Sequence, residues 1–195
     1  MSIPLSAPQL AVFPSPLRVV GCGNVSASDD GLGVALVERL RREHPENCLC
    51  DFSVVPSAGT ELLDLLDSGE PILVVDAVTG EFPPGTLHLI PLPSRSVETR
   101  PVSSLSSHGW GLLETIELAQ QLKPHLPPML LLGIELGSLE PLGACSPAVE
   151  LAMERVIACF PSLLEALPDP AARLWHEPQR FLSEEPLPWE VPSCA

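Results

Sequence analysis

The sequence predicts a three-layer α/β fold, with helices flanking a twisted, mostly parallel five-stranded sheet. Three observations carry that expectation. Short apolar runs alternate with segments of helical periodicity through the middle of the chain, the pattern that lays helices on both faces of a parallel sheet. One run, Pro71-Ile-Leu-Val-Val-Asp76, is apolar on both faces until its last residue, as a strand covered on both sides must be. Hydrophobic residues make up 45% of the 195 positions and charged ones 18%. That is enough for the core of one domain and too apolar for a disordered chain.

The elements follow in order. Leu17 to Gly21 is the first strand. Leu32 to Arg42 is a helix that puts Leu32, Leu36, Val37 and Leu40 on one face. Leu49 to Val55 is the second strand, Thr60 to Leu66 a short helix, Pro71 to Asp76 the third strand and Thr86 to Ile90 the fourth. His108 to Leu122 is a helix with Leu112, Leu113, Ile116 and Ala119 facing inward, and Met129 to Ile134 is the fifth strand. Ser146-Pro147 opens the last helix, with serine as N-cap, proline in the first turn and a core stripe of Val149, Met153, Val156 and Ile157.

This α/β domain is expected over residues 17–160. Residues 1–16 hold four prolines and no charge, and are expected to form an extended tail. Residues 161–195 hold seven prolines among acidic and aromatic residues. They are expected to form an irregular extension, partly packed through Trp175, Phe181 and Trp189.

Composition excludes several functions. Lys plus Arg number 10 against 25 Asp plus Glu, a net charge of −15. Such a surface repels phosphate backbones and anionic membranes. With five Phe, three Trp and no Tyr, platforms for stacking bases are hard to build. No apolar run reaches the ~18 residues of a membrane span, and the N-terminal stretch lacks the pattern of a signal peptide. The six cysteines are dispersed, which points to free thiols in a reducing cytoplasm rather than a disulfide framework or a zinc site.

In a parallel sheet, ligands bind beyond the carboxyl ends of the strands. Three segments place polar residues there. The first loop runs Gly21-Cys-Gly-Asn24-Val-Ser-Ala-Ser-Asp29-Asp30-Gly31-Leu-Gly33. Its Gly-x-Gly start invites a dinucleotide reading. However, Ser26 stands where the third glycine belongs, and two carboxylates occupy the place of a pyrophosphate. Asp29 and Asp30 precede a helix, where capping accounts for one of them. Asp76 ends an apolar strand, and a charge there is costly unless it is paired or meets a ligand. The third segment is Ser106-Ser107-His108-Gly109, where Ser106 and Ser107 read as helix caps. A helix start keeps the imidazole of His108 neutral, the form that binds metal. His44, His88, His125 and His176 are expected to be structural. Cys22, between two glycines, fits a tight turn better than a nucleophile. Two carboxylates and an imidazole make an N/O donor set for nickel, zinc or a similar divalent ion.

These residues resemble the [NiFe]-hydrogenase maturation endopeptidases, which remove a C-terminal extension from the hydrogenase large-subunit precursor after nickel insertion. The resemblance rests on Gly21-Cys-Gly-Asn24, Asp29-Asp30-Gly31-Leu32-Gly33, Val75-Asp76-Ala77 and Pro84-Gly85. It continues through Ser107-His108-Gly109, Gly133-Ile134-Glu135 and Ser146-Pro147-x-Val149, and covers residues 17 to 160. It implies that Asp30, Asp76 and His108 form the catalytic and metal site. The nickel they recognise would be supplied by the precursor, with no tightly bound cofactor. Two departures stand out: Leu136 replaces the family's proline after Gly-Ile-Glu, and both tails are proline-rich. The alternatives are a self-contained metallohydrolase with the same triad, or a non-catalytic hydrogenase assembly chaperone. The cognate hydrogenase, the cleavage position and the choice between carboxylates as general base are left open.

Overall fold

A computed structural model describes residues 16–45, 50–56, 59–67, 69–92 and 111–166. The chain runs β1 (Leu17–Cys22), a 3-10 turn (Ser28–Gly31), α1 (Leu32–Glu43), β2 (Cys50–Val55) and α2 (Thr60–Leu65). It continues through β3 (Ile72–Val78), β4 (Leu87–Leu92), α3 (Leu112–Leu122), β5 (Met129–Glu135) and α4 (Pro147–Ala166). The sheet order is β2-β1-β3-β5-β4. The β1–β2, β1–β3 and β3–β5 pairs are parallel, and β4 runs antiparallel to β5.

Strand alternation sorts the core into two halves. Val19, Leu73, Val75, Leu130 and Leu132 pack with Leu36, Val37 and Leu40 of α1 and Val149, Met153 and Phe160 of α4. Their alternate neighbours Val20, Val74, Leu131 and Val78 pack with Leu62 of α2 and Leu112, Ile116 and Ala119 of α3. Every residue of β3 and β5 is buried. Each fully buried large aliphatic contributes about 1.5–3 kcal/mol, so these two strands anchor the fold. α1 lies directly against the backbone: a Cβ at Gly33 would stand 2.2 Å from the Cys22 carbonyl oxygen and 2.3 Å from that of Val75. Only glycine permits that approach.

Several local expectations are corrected. Leu113 is 36% exposed, and Thr115 takes an inward position on α3 instead. Leu113 lies one residue, about 100°, from the Leu112–Ile116–Ala119 stripe, which turns it toward solvent. Ile157 is half-buried at the margin of the α4 stripe. Ser146 does not cap α4 through its side chain. Its hydroxyl is buried without a hydrogen-bond partner, while its carbonyl accepts the Glu150 N–H at 2.9 Å. α4 continues through Pro161 to Ala166, so the segment expected to be irregular begins helically. Residues 1–15 and 167–195, with Trp175, Phe181 and Trp189, lie outside the described residues.

Candidate active site

Asp76 sits near the carboxyl end of β3, on the α2–α3 face. In register, Asp76 stands beside Gly133 of β5, and Gly133 beside His88 of β4. Cys22 follows Gly21, which pairs with Val75. Asp76 is 9% exposed, and one carboxylate oxygen accepts the Ala77 N–H at 2.8 Å. Burial pushes its pKa from 3.8 up to about 7, the Ala77 N–H opposes that, and the charge of Asp30 adds to the rise. The two carboxylates are therefore close enough for one to act on the other. Cys22 lies in the same field: burial, then the charge of Asp76, raises its thiol well above the usual range. A protonated, buried thiol is a poor nucleophile.

Asp30 is carried by the 3-10 turn, whose tightness shows in the Asp30 N–H to Ala27 carbonyl bond of 2.8 Å. Gly23 makes the turn's close return possible. Its φ is +133°, and a Cβ there would stand 2.0 Å from the Asp30 carbonyl oxygen.

Asp29 corrects the capping expectation. Neither the 3-10 turn nor α1 has a side-chain cap, and Gly31 precedes α1. Asp29 is instead fully buried and accepts three distant backbone N–H groups: Gly137 at 2.7 Å, Ser138 at 2.8 Å and Ser146 at 2.6 Å. Together with the Ser28 hydroxyl bond to the Ala144 carbonyl at 2.9 Å, it fastens the first loop to the β5–α4 loop. The sequence signal, a second carboxylate beside Asp30, was visible. Its partners, more than one hundred residues away, were not.

Glu135 is a second polar residue without a role assigned from sequence. It is 3% exposed, accepts the Gly80 N–H at 2.8 Å, and lies 3.2 Å from His88 Nε2. Phe82 meets the His88 ring edge-on at 5.0 Å. His88 is thus a structural histidine, as expected, with Glu135 as its partner. Glu135, like Asp76, is a charge that follows an apolar run in the sequence.

His108, the third expected site residue, lies outside the described residues, as do Ser106 and Ser107. α3 begins just after Gly111, and Leu112 belongs to the same half of the core as Cys22 and Val78. The chain therefore enters α3 on the same face of the sheet as Asp76. Among the described residues, no three His, Cys, Asp or Glu side chains gather as a metal site.

The fold agrees with comparison to known proteins. Residues 34–161 match the family described as hydrogenase maturation protease. The chain belongs to that family. A hydrogenase expression/formation protein, HupD, of Rhodobacter capsulatus is 33% identical over 153 residues, covering 76% of this chain and 70% of that protein. The hydrogenase 2 maturation protease of Escherichia coli K12 is 28% identical over 158 residues, 78% of this chain and 95% of the relative. A solution structure of an endopeptidase from Escherichia coli superposes with a TM-score of 0.62 at 26% identity, covering 79% of this chain and 95% of the other. The matched stretch spans 66% and 70% of two HupD relatives. Membership makes this hydrogenase maturation protease a hydrolase of peptide bonds. No helix of the described residues is long and apolar enough to cross a membrane.

Proposed function

We propose that this maturation protease removes the C-terminal extension of a [NiFe]-hydrogenase large-subunit precursor, and that Asp30, Asp76 and His108 engage the nickel that the precursor already carries. The observation behind this reading is Asp76: a carboxyl buried at the sheet edge, raised to about 7 and facing the charge of Asp30. Burial and the nearby charge of Asp30 both oppose the ionised form of Asp76, and a cation relieves both. His108 stands three residues before Gly111, and the helix that follows, α3, packs on the face of the sheet that carries Asp76, which supports its inclusion.

In this reading the metal is part of the substrate. It supplies Lewis acidity close to the scissile carbonyl. The chain's residues do the rest. Asp76 releases its proton to solvent as the loaded precursor docks, and the carboxylates then hold the precursor with its scissile peptide at the carboxyl edge. A carboxylate oxygen not engaged by the ion is placed to accept a proton from attacking water. Cys22, held protonated, takes no part as nucleophile. Free thiols at Cys22, Cys50, Cys145 and Cys159 fit a reducing, cytoplasmic setting.

The test is the precursor's mass before and after incubation with the wild type and with Asp30→Ala, Asp76→Ala and His108→Ala. Wild type is expected to shorten the nickel-loaded precursor, and each variant to leave it intact. Trimming at wild-type rate by all three variants would remove the proposed site.

A further inference from the structure

We infer that the three loops above the carboxyl edge form a docking surface for the precursor segment flanking the scissile bond, and that this segment is apolar and basic. The inference rests on the protease reading and adds the chemistry of the segment and the residues that select it.

Four of the eight exposed large hydrophobic side chains among the described residues lie on these loops. They are Val25 (67% exposed), Phe82 (52%), Leu139 (42%) and Leu142 (87%). The loops touch one another. The Leu142 N–H donates to the Ser26 carbonyl at 2.8 Å, and Ala27 pairs with Pro141 in an antiparallel bridge. Pro84, two residues past Phe82, lies against Gly137, where a Cβ would meet it at 3.1 Å. The loops that carry these side chains therefore adjoin one another, and the first of them also carries Asp30. Scattered apolar residues need no explanation, but a contiguous set does.

Leu142 argues most strongly. Its φ is +56°, a left-handed conformation that strains a leucine and suits asparagine or glycine. Its side chain is almost wholly in water, so the folded protein gains neither backbone ease nor packing from it. A partner that covers the side chain accounts for both features.

Charge indicates what kind of partner. Across residues 23–31, 79–86 and 136–146 the charged residues are Asp29, Asp30, Glu81 and Glu140, with no Lys or Arg. The described basic side chains lie elsewhere: Arg18 at the start of β1, Arg39, Arg41 and Arg42 late in α1, Lys123 after α3 and Arg155 within α4. An apolar rim in an acidic field attracts a basic, apolar chain and repels an acidic one.

The experiment measures binding and trimming of the nickel-loaded precursor by the full chain and two double variants. Leu142→Asn with Leu139→Ser removes apolar surface and suits the backbone at position 142, so the unfolding midpoint should hold or rise. KM and Kd are expected to rise about tenfold with kcat within about twofold, as for loss of an interface anchor. Glu81→Gln with Glu140→Gln should raise KM and flatten its dependence on salt. If wild type trims and all variants match it in KM and Kd, the docking surface is overturned and the protease reading stands. If wild type binds without trimming, the protease reading fails, and weaker binding by the variants still supports the surface while unchanged binding overturns it. If wild type neither binds nor trims, both are overturned.

Discussion

β3 and β5 lie side by side, each buried along its length, and each carries one carboxylate: Asp76 two residues before the end of β3, and Glu135 as the last residue of β5. The two carboxylates are treated differently. Glu135 on β5 has the Gly80 N–H and the His88 ring, and Asp29 in the first loop has three backbone N–H groups. Among the described residues, Asp76 on β3 has the N–H of its own neighbour and faces the like charge of Asp30. A buried charge whose partners come from the protein is scaffold. One set against a like charge is costly, and a cation would relieve both the burial and the repulsion.

Substitution should separate the two kinds. Asp29→Ala strands three N–H groups that join the first loop to the β5–α4 loop. The expected cost is about 3–5 kcal/mol, measured by urea unfolding. A loss below ~1 kcal/mol would deny Asp29 its scaffold role. Asp76→Asn should act in the opposite direction. The folded protein holds the Asp76 proton more tightly than the unfolded chain, since its pKa rises from 3.8 to about 7. Wild type therefore loses stability as pH climbs from about 4 to 7 and levels off above that. The asparagine variant escapes this loss. It should match wild type near pH 4 and be more stable at pH 8 by on the order of 2–4 kcal/mol. Equal stabilities at pH 8 would mean that Asp76 is as well satisfied as Glu135.

Much of this architecture was legible in the chain. Leu32, Leu36, Val37 and Leu40 fall on the buried face of α1 as their spacing predicts, and β3 announced itself by an unbroken apolar run ending in Asp76. The orientation of β4 is not written in Leu-His-Leu-Ile-Pro-Leu, although the eight residues between β3 and β4 are too few for the crossover that a parallel strand needs. Thr115 replaced Leu113 inside α3 because helical phase outweighs side-chain hydrophobicity when one residue lies off the stripe. At the site, Asp30 and Asp76 were found because each interrupts a pattern. Glu135 interrupts one too, and the same rule would have selected it. The role of Asp29 was hidden, since partners such as Ser146 are brought to it by the closing of α4 over the sheet, which no local spacing encodes. The rim of Val25, Leu139 and Leu142 was likewise invisible: an exposed leucine looks like any other until its neighbours and its φ are known.

The central claim is that Asp76, with Asp30, is arranged to meet a cation that the substrate brings. The most direct measurement compares cleavage of nickel-loaded and nickel-free precursor by the wild-type chain, followed by mass. Shortening of the loaded precursor alone is the predicted result. Equal shortening of the nickel-free precursor would contradict the claim.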